Sequence, residues 1–192
     1  MGIFEFFRKK GETEARVITF PPRKPVPDPI AMEIVDTPEK FHPMAEELVP
    51  PLVELLRRLS ALEVETCRRS RTVREVREAQ GERYVSQEEK DIWTQYRESY
   101  GRLLEGRCTQ ALLDRGYGSS FGDPPAYGYL DTGCQLAFTM KSPARAVVET
   151  TFLHGVDMRH QFVLRNTPEG WRIDRVSYGF PSEPGKWHIF HI

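Results

Sequence analysis

The sequence predicts an α+β fold, with N-terminal helices packed on one face of an antiparallel sheet. Three observations predict it. Apolar residues recur at helical spacing between residues 36 and 115. Runs of strand-like alternation follow, at about 134–140, 145–154, 158–165, 171–180 and 187–192. The links between these runs are short, with Ser142-Pro143 and Gly155 to Asp157 as turns, and short links join antiparallel neighbours.

Residues 1–35 read as a separate segment. Ile3, Phe4, Phe6 and Phe7 give residues 2–10 an apolar side suited to docking on the domain itself. Residues 21–29 carry prolines at 21, 22, 25, 27 and 29, which remove donors and restrict their predecessors, so an extended linker is expected there. A short ligand for an SH3-type domain is the functional alternative for that stretch. A single domain then spans residues 36–192.

Asp36-Thr37-Pro38-Glu39 has the form of a capping box, which starts a helix running to about Leu48 and perturbed at Pro43. Pro50-Pro51 is expected to break that helix and restart a second. There Leu52, Leu55, Leu56, Leu59 and Leu62 form a core stripe, and Gly81 marks the end. Ser86 and Glu89 make a second capping box. The helix it opens buries Ile92, Trp93, Tyr96, Tyr100, Leu103, Leu104, Ala111 and Leu112 and stops at Gly116. That length is unusual, so Gly101 or Gly106 is expected to bend it. Residues 116–125 are turn formers and read as a loop.

The clearest stretch is Met158 to Phe180. Met158, His160, Phe162 and Leu164 alternate with polar residues, a turn cluster follows, and Trp171 and Ile173 alternate again. Opposed residues of a hairpin share a face, and a one-residue slip changes that face. An even loop, Thr167 to Gly170, sets Phe162 and Leu164 beside Trp171 and Ile173; an odd loop would set Trp171 among Arg165 and Gln161.

Composition bounds the function. The chain has 192 residues, 39% hydrophobic and 29% charged, as suits one globular domain in water. A net charge of -1 argues against wholesale binding to nucleic acid or membrane surfaces. The three cysteines, Cys67, Cys108 and Cys134, are scattered and odd in number, so a reducing compartment is expected and no disulfide framework. No apolar run approaches the roughly 20 residues of a membrane span. The opening residues have their basic side chains after the apolar ones, unlike a secretion signal, and a cytoplasmic location is the expectation.

The sequence contains no phosphate loop with Gly-Lys-Ser/Thr, no Gly-x-Ser-x-Gly and no His-Glu-x-x-His. His154 and His160 flank a turn, whereas His188 and His191 fall on opposite faces of a strand. Neither pair has a carboxylate pattern that would make a metal site, and no cofactor is expected. On the hairpin face carrying Phe162 and Ile173, residues further from the turn become polar: His160, Arg175 and Ser177. A sheet curled over a pocket would place them at its mouth, with an imidazole as general base and an arginine to hold an oxyanion. A solvated rim is the simpler reading. A second cluster, Arg68, Arg69, Arg71, Arg74 and Arg77, forms a candidate charged partner surface. Interleaved Glu75 and Glu78 at pairing distance, and the lack of aromatic residues among the arginines, favour a solvated helix face over base stacking.

Phe162-Val163-Leu164-Arg165, the turn with Gly170, and Trp171-Arg172-Ile173-Asp174-Arg175-Val176 resemble the closing hairpin of the nuclear transport factor 2-like superfamily. That resemblance implies a strongly curved antiparallel sheet wrapping the helices into a cone with a pocket. Isomerases and dehydratases of this fold carry an Asp or an Asp/His pair in that pocket, and no such dyad matches named positions here. The chain also resembles the immunity proteins of bacterial polymorphic toxin systems, some of which adopt this fold. That likeness implies a non-enzymatic binding protein that neutralises a cognate toxin domain. The alternatives are a small-molecule enzyme or ligand binder using the cone pocket, with His160 and Arg175 as its test residues, and an RNA-binding accessory protein acting through the arginine-rich helix.

Overall fold

The computed structural model describes residues 30–192, so the expectations for residues 1–29 lie outside the described residues. Helices do precede a sheet, and the class is α+β. The sheet has six strands in the order of the chain: β1 (Ala31–Ile34), β2 (Gln135–Ser142), β3 (Arg145–His154), β4 (Val156–Thr167), β5 (Gly170–Gly179) and β6 (His188–Ile189). Strands β2 to β6 form an antiparallel meander. Strand β1 was not anticipated, and it joins the edge parallel to β2, so the sheet is mixed. Its four residues follow directly on a proline run and are too few to show alternation.

The helices depart from expectation at three points. Helix α1 runs unbroken from Pro43 to Ala79 and passes through Pro50 and Pro51. Proline removes the bond to the carbonyl four residues earlier, here Glu46 and Glu47. Both glutamates and both prolines are exposed, so the freed carbonyls face water and the helix persists. Asp36 is not the cap; a 3₁₀ turn at Glu39–Phe41 leads into α1, with His42 at the boundary.

Helix α2 (Gln87–Leu104) begins at the predicted capping box, with Ser86 Oγ accepting from the Glu89 amide and Glu89 Oε2 accepting from the Ser86 amide. It stops at Leu104 rather than near Arg115. Gly106 turns the chain with φ 65°, and the next residues bind the sheet. Arg107 accepts from the Ile173 amide at 2.8 Å, and the Thr109 amide donates to Ile173 at 2.9 Å. Thr109 then caps the short α3 (Gln110–Leu113). Tertiary bonds to β5 therefore end the helix that local periodicity would have continued. A one-turn α4 (Tyr129–Thr132) precedes β2.

One core joins the layers. Leu52, Leu55, Leu56, Leu59 and Leu62 of α1 pack with Phe138, Val148, Phe162 and Val176 of the sheet and with Tyr96, Tyr100 and Leu104 of α2. The last buried residue of α1 is Thr66, so the thirteen residues 67–79 lie beyond the core. Arg77 faces Glu89 and Arg69 faces Gln95 across this stretch, which makes α1 and α2 an antiparallel helical arm. Among the described residues, no helix is long and apolar enough to cross a membrane.

Candidate functional site

The hairpin register is as argued from the sequence up to a point. Thr167 pairs with Gly170, Asn166 with Trp171 and Leu164 with Ile173. Asp174 is then an extra residue, because Val163 pairs with Arg175 and Phe162 with Val176. The side chain of Asp174 accepts from Thr109 Oγ1 at 3.2 Å and pairs with Arg165 at 2.8 Å. This bulge changes the face of every residue beyond it.

The expected pocket mouth is therefore not assembled. His160 lies opposite Tyr178 and faces the core. Arg175 lies opposite Val163 and is exposed, and Ser177 lies opposite Gln161 and Ile189. The sequence held the signal. Apolar spacing runs Trp171, Ile173, Val176, and a step of three inside a period of two marks an inserted residue.

The interior around His160 is aromatic. Tyr129 stacks on Phe152 with ring centres 3.7 Å apart, and Phe190 stacks on His160 at 4.9 Å. Thr150 Oγ1 donates to the Tyr129 hydroxyl at 3.2 Å, and that hydroxyl is hydrogen-bonded to His160 Nδ1 at 3.0 Å. Burial, and secondarily the charge of His154, push His160 down to about 4. The ring is neutral and enclosed at pH 7, held in place by its neighbours.

A second polar group faces the interior from α1. Glu63 is 5% exposed, and its Oε2 accepts from the Ala126 amide at 3.0 Å. Burial pushes its carboxyl up to about 7, partly offset by the Ala126 amide. Glu63, Tyr96, Tyr100 and Tyr127 line a cavity of about 40 Å³. This site went unnoticed in the sequence, although its signal is present: Leu59, Leu62, Glu63 and Thr66 share one helix face, so a carboxylate stands on the core stripe. Elsewhere a shallow cleft on the outside of α2 and α3 is lined by Glu98, Arg102, Glu105, Cys108, Gln110 and Tyr117. Burial pushes the Cys108 thiol up to about 12, which disfavours the thiolate there.

The expected charged surface lies on the arm. Arg68, Arg71 and Arg74 are exposed, and Arg69 binds Gln95 Oε1 at 3.2 Å. Arg77 is different: its side chain is largely covered and pairs with Glu89 at 3.2 Å. The Ser86 amide, then Arg77, hold the Glu89 carboxyl below its ordinary range. Arg77 thus ties the two helices of the arm together. At the tip, Tyr84 is 88% exposed and Val85 58%, and Val76 near the end of α1 is 53% exposed. Among the described residues, no group of three His, Cys, Asp or Glu side chains is arranged to hold a metal ion.

Comparison with family models, with curated proteins and with solved structures gives no match to this chain.

Proposed function

We propose that this chain is a non-enzymatic binding protein of the immunity kind, which neutralises a cognate toxin domain by covering it, and that the α1–α2 arm makes the contact. The observation that carries the reading is the composition of the arm's tip. Tyr84, Val85 and Val76 stand in solvent on the same hairpin as Arg71, Arg74 and Arg83. Tyrosine and arginine are the residues that most often dominate binding energy at protein interfaces, and exposed apolar side chains cost nothing extra to bury. Residues 67–91 number twenty-five, comparable with the roughly 20–30 residues one side of a standard interface uses. The arginines favour an acidic face on the partner, which speeds the encounter.

The aromatic packing around His160 supports the same reading. His160 is walled in by aromatic rings, and Arg175 lies on the other face of the sheet, so the two do not form an acid–base pair. The cone-like superfamily plan remains part of this proposal, with the bulges in β2 and β5 as the features that would curl such a sheet.

The test is rescue of cells expressing the toxin domain encoded beside this chain's gene, together with complex formation on mixing the purified proteins. Rescue by the parent chain is expected, and its loss with Tyr84→Ala combined with Arg71→Glu and Arg74→Glu. Absence of both rescue and complex overturns the binding reading. Rescue undiminished in the triple variant overturns the role of the arm.

A further inference from the structure

Glu63 and Tyr127 are polar groups that a filled core has no use for. Glu63 is buried beside Tyr96 and Tyr100, and among the described residues no Lys, Arg or His forms an ion pair with it. The Tyr127 residue is 1% exposed, and its hydroxyl has no hydrogen-bond partner among the described residues. Both groups line the cavity of about 40 Å³, with the Tyr96 and Tyr100 rings beside them. The cavity reaches solvent at Ser119 and His191, which are exposed. A lining carboxylate with one amide donor and no cationic partner among the described residues, an orphan hydroxyl and aromatic rings make a place of negative potential with a way in.

We infer that this cavity is a binding site for a small primary ammonium group, with Glu63 as counter-ion, the Tyr127 hydroxyl as hydrogen-bond acceptor and the tyrosine rings as its walls. The size of the cavity limits the ligand. One water needs about 10–15 Å³ by this measure, so about three non-hydrogen atoms fit. Methylammonium is within that limit and tetramethylammonium exceeds it. An ammonium group also supplies the N–H donors that the Glu63 carboxylate and the acceptor lone pairs of the Tyr127 hydroxyl can receive. The site does not depend on the arm or on a toxin partner.

The site has a pH signature. The groups facing Glu63 are Tyr96 and Tyr100 of α2, Tyr127 of the following loop and His191 at the mouth. The tyrosines are pushed up by burial and stay neutral, and His160 beyond Tyr127 is neutral above about pH 4. A bound cation requires the Glu63 carboxylate, so affinity rises as pH passes through about 7. Between pH 6 and pH 8 the ionised fraction, and with it the affinity, changes about tenfold.

The experiment is titration of the full chain with methylammonium chloride, read by amide chemical shifts at Ala126 and Tyr127. Tetramethylammonium chloride and sodium chloride at equal ionic strength are the controls. Saturable shifts with methylammonium alone, about tenfold tighter at pH 8 than at pH 6, are expected. Glu63→Gln abolishes them, and Tyr127→Phe, which keeps the ring and its packing, weakens them. The inference fails if all three salts act alike, if Tyr127→Phe leaves the titration unchanged, or if the wild-type affinity is flat with pH. Water alone in the cavity gives the first of those results.

Discussion

Glu63 and His160 face one interior and answer protons in opposite senses. Burial pushes the folded Glu63 carboxyl from an ordinary 4.5 up to about 7. Its protonated form is favoured in the fold, so its contribution is fully present below 4.5 and is lost as pH rises through 7. Burial pushes His160 from an ordinary 6.5 down to about 4, so its contribution is present above 6.5 and is lost as pH falls towards 4. Between 4.5 and 6.5 the two slopes oppose each other, so these two contributions largely offset. Glu63→Gln removes one slope. Denaturant titrations of that variant are expected to show stability no longer falling towards pH 8, and to expose the His160 loss of about 1.4 kcal/mol per pH unit below 6.5. At pH 8 the variant is expected to be more stable than the parent by about 3 kcal/mol. A parent-like pH profile in Glu63→Gln would show that the carboxylate is not buried.

Two elements hold the arm and the sheet edge. The Ser86–Glu89 box satisfies two amides at the start of α2, and Glu89 carries Arg77 with it. Ser86→Ala is expected to cost about 1 kcal/mol, measured by thermal unfolding. It is also expected to loosen the arm, read as faster amide exchange at residues 77–90. Gly179 near the end of β5 serves a different purpose. A Cβ there would lie 2.8 Å from the Lys186 carbonyl and 3.3 Å from the Trp187 ring. That close approach lets the chain return and lay Tyr178 against His188, with ring centres 5.0 Å apart. Gly179→Ala is expected to undock residues 186–192, seen as increased amide exchange and proteolysis there, while the strands β2 to β4 keep their protection. Unchanged exchange at Phe190 would mean that the backbone absorbs the extra methyl group.

Over the whole molecule, one core supports two distinct surfaces. The sheet and the first two-thirds of α1 are packed together, whereas residues 67–91 contribute nothing to the core. Substitutions at Tyr84, Arg71 and Arg74 are therefore expected to leave the melting temperature within about 2 °C while removing partner binding. A large drop in stability would place the tip in the fold rather than at an interface. The cavity beside Glu63 sits at the other end of this division, where α1, α2 and the C-terminal residues meet.

Local rules made much of this fold legible. The Ser86 capping box, the leucine stripe of α1, the bounds of β3 and the Leu164–Ile173 pairing all follow from side-chain period and hydrogen-bonding groups close in sequence. These features depend on neighbours a few residues away, which the sequence states directly. The features it hid depend on distant partners. Strand β1 exists because β2 offers an edge some hundred residues later. Helix α2 ends where Ile173 takes over the backbone bonds of Arg107 and Thr109. Arg175 left the face of His160 because Asp174 bulges out to meet Thr109 and Arg165. The exposure of Pro50 and Pro51, the pairing of Arg77 and the enclosure of Glu63 are likewise matters of environment. The sequence by itself determined the α+β class, most of the elements and one hairpin register, because period and capping are local. Only the tertiary structure decided which polar groups share a cavity, since that depends on long-range pairing and on how solvent is excluded.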